Sequence, residues 1–356
     1  MTPVCAPAVG DEQDVLLRHE GGLGRIVLNR PRVINALTHA MVRRIDTALT
    51  AWEADDGVRA VVISGTGERG LCAGGDIRGF HADASTGTTA SLDFWRDEYA
   101  LDAHIARYAK PYVAIMDGIV MGGGVGVSAH GGVRVVTERT RLAMPEVGIG
   151  LVPDVGGTFL LSRAPGELGT HLALTASAVG AGDAIACGLA DHFVPSDRLP
   201  GFLDALAVDV DDAVRAFGLP APPADLVVER EWIDRCYAAD TVEEIVERLR
   251  DFGSPEAKEA VEQILGKSPT ALKVTLRSLR RARGLATVEQ VLAQEYRVST
   301  ACLRSPDLVE GIRAQVIDKD RTPSWSPATL EEVADETVEA FFAPLGDREL
   351  VLGQDR

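Results

Sequence analysis

The chain has no CxxC pair. Its five cysteines, Cys5, Cys72, Cys187, Cys236 and Cys302, are odd in number and widely scattered. That argues against a disulfide framework and a structural zinc site, so no metal is expected, and it fits a reducing, cytoplasmic compartment. Positive charge is scarce. Lys and Arg total 36 against 53 Asp and Glu, a net charge of −17. Such a chain repels phosphate backbones, so nucleic acid is not an expected partner. A small anionic ligand stays open, because a few local Arg and Lys can hold it. Long apolar runs are missing as well. The longest candidate, Val113 to Ala129, is interrupted by Asp117 and five glycines. No membrane partner is therefore expected. Residues 1–14 lack a basic start followed by an apolar core, so they read as a flexible N-terminus rather than a secretory signal. There is no internal repeat and no GxxxxGK[ST] phosphate loop.

What is present is an ordinary globular composition, 46% hydrophobic and 25% charged, long enough for two or three domains. Val15-Leu16-Leu17 and Arg25-Ile26-Val27-Leu28 flank Gly21-Gly22, a hairpin pattern. Thr38 is a candidate N-cap for a helix to about Asp55. Strands are expected at Ala60–Ile63, Tyr112–Met116 and Val133–Val136. Helices are expected at Leu92–Tyr108 and after the Gly-rich turn to Ser128. Strands alternating with helices suggest α/β organisation. Beyond about residue 200 the texture changes. Pro220, Pro222 and Pro223 mark a loop, and charged helical patterns follow from Thr241, at Ala271–Arg283 and at Val288–Leu303. The reading is a flexible segment 1–14, an α/β core over 15–200 and a mostly helical region over 201–356.

Two motifs fail on context. Gly65-Thr-Gly67-Glu-Arg-Gly70 matches GxGxxG after a strand, but the glycine-rich Leu71 to Asp76 that follows makes a poor first helical turn. Gly126-Val-Ser128-Ala-His130 lacks the last glycine of a nucleophile elbow. Two glycine-rich turns remain, Cys72-Ala-Gly-Gly-Asp76 and Met121-Gly-Gly-Gly-Val-Gly126, each after a strand. They are either tight turns or bare backbone offered to a ligand. Paired N–H groups from two such loops can hold a carbonyl oxygen that gains negative charge. A third segment, Ala143 to Gly157, sets Glu146 and Asp154 among Met, Pro, Val, Ile, Leu and Gly. Acids in such surroundings lose water, which raises their pKa and suits nucleophilic or acid–base work.

Taken in order, these segments resemble the crotonase (enoyl-CoA hydratase/isomerase) superfamily. The marks are Asn29-Arg-Pro31 with Asn35-Ala-Leu37, then Cys72-Ala-Gly-Gly-Asp76, Gly122-Gly-Gly124, and Pro145-Glu146 with Gly156-Gly157. Hydratases of that family carry a Glu where this chain has Gly126, and Gly where it has Asp154. Met144-Pro-Glu146, Pro153-Asp-Val-Gly-Gly157, Ser268-Pro269, Glu310-Gly-Ile-Arg-Ala314, Ile317-Asp-Lys-Asp320 and Trp325 resemble the 3-hydroxyisobutyryl-CoA hydrolase branch. The resemblance implies a spiral of repeated ββα units with two sheets, a helical C-terminal region, and a homo-oligomer, trimer or hexamer. It implies an acyl-CoA substrate, with CoA as part of that substrate and no separate cofactor. It places the Gly75 and Gly123 N–H groups at the thioester oxygen. Glu146 is then a nucleophile or general base, and Asp154 orients or deprotonates water or binds the substrate hydroxyl. Glu98 lines the acyl pocket, Arg32 and Arg78 lie near the nucleotide, and Ala36 offers backbone to CoA. The implied activity is hydrolysis of a short 3-hydroxyacyl-CoA in valine breakdown. Enoyl-CoA hydration or isomerisation, and silent acyl-CoA binding, are the competing readings.

Overall fold

The computed structural model describes residues 11–353. Most of the expected flexible N-terminus, and Cys5, lie outside the described residues. Asp11–Asp14 form one helical turn ahead of the first strand.

The hairpin is present as β1 (Val15–Glu20) and β2 (Leu23–Leu28), paired antiparallel around Gly21 and Gly22, both with positive φ. The remaining strands are β3 (Ala60–Gly65), β4 (Gly70–Cys72), β5 (Tyr112–Met116), β6 (Ile119–Met121), β7 (Val133–Val136), β8 (Arg141–Ala143) and β9 (His192–Phe193). They divide into two sheets. One has the order β1-β2-β3-β5-β7-β9, the other β4-β6-β8. The pairings from β2 onward within these sheets are parallel. Each successive pair, β3/β4, β5/β6 and β7/β8, sends its first strand to the large sheet and its second to the small one. Helices Ile77–Thr86 and Ala90–Arg107 follow β4, and helix Gly123–Ala129 follows β6. This is the expected spiral of ββα units.

One consequence places the site. β4, β6 and β8 lie side by side and point the same way, so the turns after them share one edge. Those turns are Ala73 to Asp76, Gly122-Gly123, and Met144 to Glu146. Ligands of parallel sheets bind at such carboxyl ends. The strands are short because two sheets divide the run, and their buried Leu71, Cys72, Val120, Leu142 and Ala143 anchor the edge in the core.

The first long helix, His39–Glu53, starts as the sequence suggests, with Thr38 Oγ1 accepting from Met41 N–H. The C-terminal half is helical: Val242–Phe252, Pro255–Leu265, Pro269–Ala282, Val288–Cys302 and Pro306–Ile312. Thr241, Ser254, Ser268 and Thr287 cap four of these helices. Their apolar faces enter the same core as β2, β3 and β5, through Leu272, Leu276, Leu292, Tyr296 and Leu308. A smaller core lies on the other face of the large sheet, where Phe202 and Ala213 cover Leu23, Val62 and Val113. Among the described residues no helix is long and apolar enough to cross a membrane, and no group of side chains has the makings of a metal site.

Candidate active site

Asn35 explains why the first marked motif stands where it does. It is fully buried at φ +54, and its side-chain N–H group donates to Thr66, Gly70 and Leu71 carbonyls. Its Oδ1 accepts from Arg30 N–H at 2.8 Å. This staple holds Leu37 against the glycine turn. Leu37 N–H donates to Gly74 O at 2.8 Å, and Asp76 N–H to Leu37 O at 2.9 Å. Gly75, between them, keeps its N–H out of that ladder. Gly123 opens its helix, where an N–H has no partner within the helix. Among the described residues neither the Gly75 nor the Gly123 N–H has an acceptor. A Cβ built on Gly123 would stand 3.3 Å from Gly75 N, so the two turns with their free donors border one small space. The turn needs glycine at Gly122, where φ is +50 and a Cβ would meet Glu146 Oε1 at 2.9 Å.

That space opens into a cavity of about 470 Å³. Ala36, Gly75, Arg78, Glu98, Gly123, Glu146 and Asp154 all line it. Arg32 does not. It is exposed, next to Val33, which does line the cavity. The Ala36 carbonyl already accepts from Arg30 at 2.5 Å, which leaves it one lone pair. Phe80, Trp95, Leu151 and Val316 give the cavity its apolar wall.

Glu146 begins a short 3₁₀ turn, Glu146–Ile149, straight after Pro145. The residue is 5% exposed, and its buried Oε2 has no partner among the described residues. Burial, then the charge of Asp154, pushes it well above the usual carboxylate range. Asp154, equally buried, accepts from the Tyr99 hydroxyl at 2.8 Å. Burial raises it to about 6, against the lowering pull of that hydrogen bond. Tyr99 can donate only one proton, so the Ser299 hydroxyl at 2.9 Å donates to it in turn. Glu98 Oε1 lacks a partner among the described residues and lies 2.5 Å from the Cβ position at Gly123.

Gly126, where hydratases of the resembled family carry Glu, has no room for a side chain. A Cβ there would come within 2.7 Å of Asp102 Oδ1 and 2.8 Å of Val155 Cβ. Asp102 is fully buried behind the site, and neither oxygen has a partner among the described residues.

Residues from other parts of the chain brace the turn after Asp154. Val155 and Gly156 both have positive φ, a strained turn that follows Asp154 directly. Glu295, on the Val288–Cys302 helix, holds it. Its carboxylate accepts from Gly156 N–H at 2.7 Å, and from Thr158 N–H at 3.0 Å and Oγ1–H at 2.5 Å. His130 donates to Val155 O at 2.8 Å from the other side. The signal for Glu295 is an acid on the apolar stripe of its helix, among Val291, Leu292 and Tyr296. Gln315, Val316 and Lys319, from the π-helical turn Arg313–Ile317 and just beyond, close one side of the cavity. Lys319 lies in the quoted Ile317-Asp-Lys-Asp320 segment, but no local pattern places Gln315 and Val316 at the site, which they reach through packing.

The chain is similar over most of its length to known proteins. The chain is 44% identical over 351 residues to the mitochondrial 3-hydroxyisobutyryl-CoA hydrolase of Gallus gallus, covering 95% of this chain and 91% of that protein. The corresponding human protein is 41% identical over 350 residues, covering 95% and 90%. A crystal structure titled carnitinyl-CoA dehydratase, from Mycobacterium thermoresistibile, superposes with a TM-score of 0.94 at 55% identity, covering 96% of this chain and all of that one. One titled enoyl-CoA hydratase, from Rhodobacter sphaeroides, gives 0.90 at 44% identity, covering 95% and 99%. The family model for enoyl-CoA hydratase/isomerase matches residues 23–342, from β2 through the last packed helices. With its paired glycine turns and buried acids inside that span, this chain belongs to the enoyl-CoA hydratase/isomerase family.

Proposed function

We propose that this chain is an acyl-CoA thioester hydrolase whose substrate is 3-hydroxyisobutyryl-CoA, which it converts to 3-hydroxyisobutyrate and CoA in valine catabolism. The observation that carries this reading is the pair of free N–H groups, Gly75 and Gly123, beside two buried acids. The names of the curated relatives agree. A thioester carbonyl seated on those donors has its developing oxyanion stabilised. Glu146, once ionised, attacks the carbonyl carbon. The C–S bond breaks, CoA leaves as thiolate, and a mixed anhydride remains. Asp154 takes a proton from water, whose oxygen adds to the anhydride, and the acid departs with Glu146 restored. The competing assignment makes Glu146 a general base on water and needs no covalent intermediate.

Arg78 and Lys319, at the cavity wall, serve the phosphates of CoA, with Arg32 outside it as a further cation. Ala36 meets the pantetheine through its backbone, and Glu98 meets the acyl group. CoA enters as part of the substrate, and no separate cofactor belongs to this reading. A trimer or hexamer is the assembly expected of it. The cytoplasmic placement rests on the free, buried Cys72, Cys187, Cys236 and Cys302; the curated relatives carry mitochondrial names.

Hydration is the second reading, because the two solved neighbours bear hydratase and dehydratase titles. A hydratase shares one water between two carboxylates, and the blocked position at Gly126 removes the usual second one. Thiol release from 3-hydroxyisobutyryl-CoA, measured beside hydration of crotonyl-CoA, separates the two. Rapid hydration with no thiol released would overturn the hydrolase reading.

A further inference from the structure

Glu98 stands in an awkward place for an anion. Its Oε1 lies 2.5 Å from the Cβ position at Gly123, and that same position is 3.3 Å from Gly75 N. The oxygen therefore borders the small space between the two glycine turns that carry the free N–H groups. A negative charge there would repel the oxyanion that those donors serve. No cation offsets it: the influences on Glu98 are burial and the acids Asp154 and Glu146, and its Oε1 has no partner among the described residues. It is also 2% exposed, so water does not screen it.

Resting on the hydrolase reading, we propose that Glu98 works as a neutral carboxylic acid, a third oxyanion donor whose O–H completes the set begun by the Gly75 and Gly123 N–H groups. The bond formed is a hydrogen bond. The proton stays on Glu98, and no electron pair moves. Oε1 has no hydrogen-bond partner among the described residues, as this role requires, since a buried hydroxyl without a partner is costly until substrate supplies one.

The surroundings keep that proton in place. From its own helix Glu98 faces Asp102, one turn on. From the segment after β8 it faces Glu146 and Asp154, and from β4 the Cys72 thiol, which is bound to Asn35 O at 3.3 Å. Behind these, Glu295 projects from the Val288–Cys302 helix toward the same cluster. The cavity's remaining charged groups are Asp76, Arg78 and Lys319. Burial, then the charges of Asp154 and Glu146, pushes Glu98 well above the ordinary carboxylate range. The order matters. When Asp154 and Glu146 ionise to do their work, each drives Glu98 further toward its neutral form. Asp102, deeper still, is raised by burial and then by charge on Glu98, so it offers no relief. The family resemblance implies for Glu98 only a place in the acyl pocket. Its protonation state comes from what the fold gathers around it.

The test compares wild type, Glu98→Gln and Glu98→Ala by thiol release from 3-hydroxyisobutyryl-CoA across pH, with circular dichroism and Tm as the check on folding. Gln keeps a neutral donor of the same length. We expect Glu98→Gln to hold kcat within about tenfold, and Glu98→Ala to lose roughly 10²–10³-fold in kcat with little change in KM. Wild-type kcat should fall on the alkaline side as Glu98 ionises, and Glu98→Gln should lack that fall. If Glu98→Gln is as poor as Glu98→Ala, a basic carboxylate is needed and the proposal is overturned. It is equally overturned if wild type shows no alkaline fall, or if Glu98→Gln retains it. Wild type that releases no thiol removes the hydrolase reading itself and the donor role with it, a different outcome from an active wild type with an inactive Gln variant.

Discussion

Glu146 and Asp154 share the same burial but not the same partners. Asp154 has Tyr99 to stabilise its charge, while Glu146 Oε2 has nothing. The proposed roles follow from that difference, a bare nucleophile beside a supported base. Glu146→Gln should abolish single-turnover thiol release. Asp154→Asn keeps the nucleophile, so it should give a burst of thiol and then stall at the anhydride. Equal loss of the burst in both variants would mean that water attacks directly and that the two acids act as one unit. Gly123 offers a second check at this scale. Any side chain there meets Glu98 Oε1 and crowds the donor pair, so Gly123→Val should lower turnover by roughly 10²-fold or more in a folded protein. Normal turnover from that variant would remove the oxyanion assignment. These residues were legible in the sequence because each is chemically out of place: an acid among apolar neighbours, or glycines in a run. Asp102, Tyr99, Glu295 and Ser299 were not. They sit on helices of ordinary pattern, and only the packing of Ala90–Arg107 against Val288–Cys302 turns them toward one centre.

At the scale of elements, the Pro306–Ile312 helix is pressed onto the turn that carries Glu146. A Cβ on Gly311 would come within 2.4–2.6 Å of Ile149 backbone, and one on Gly150 within 2.4 Å of Asp307 backbone. Alanine is the better helix former by about 1 kcal/mol, so Gly→Ala in a helix should ordinarily stabilise. Gly311→Ala should instead cost about 1–3 kcal/mol in urea unfolding, and lower turnover by displacing Ile149 and with it Glu146. Gly79, also helical but with open space at its Cβ position, is the control and should gain stability as Ala. If both variants are stabilised alike, the close approach is not there. The helices themselves were readable from capping residues and apolar spacing. Which glycines touch backbone could not be read, because close approach depends on a partner distant in the chain.

For the whole molecule, the buried acids make a prediction about pH. Glu98, Asp102, Glu146, Asp154 and Glu295 all sit above their ordinary values, chiefly through burial, with Asp154 at about 6 and Glu295 at about 8. A group whose folded pKa is raised contributes stability below its unfolded pKa and loses it as pH rises through the folded one. Asp97 and Asp191 behave oppositely. Burial works against them, but hydrogen bonds from Arg43 and His39, and from Arg134, outweigh it and hold both below 3.8. Their stabilisation is lost only in strong acid. Tm should therefore peak at about pH 4–6 and decline steadily toward about pH 9. A Tm that is flat or rising over that alkaline stretch would show that these acids are not held neutral by the fold.

By itself the sequence determined the alternation of strands and helices, the glycine turns after β4 and β6, and the presence of Glu146 and Asp154 in apolar surroundings. Those features are local, set by spacing, backbone freedom and neighbouring side chains, so a linear reading reaches them. Only the tertiary structure decided that β4, β6 and β8 stand side by side, which gathers three distant turns at one edge. It alone decided that Asp102 fills the space at Gly126, that Glu295 and Ser299 brace the Asp154 loop, and that Glu98 faces the donor pair. Burial and charge proximity are properties of the packed chain, and they set the protonation of an acid as much as the residue type does.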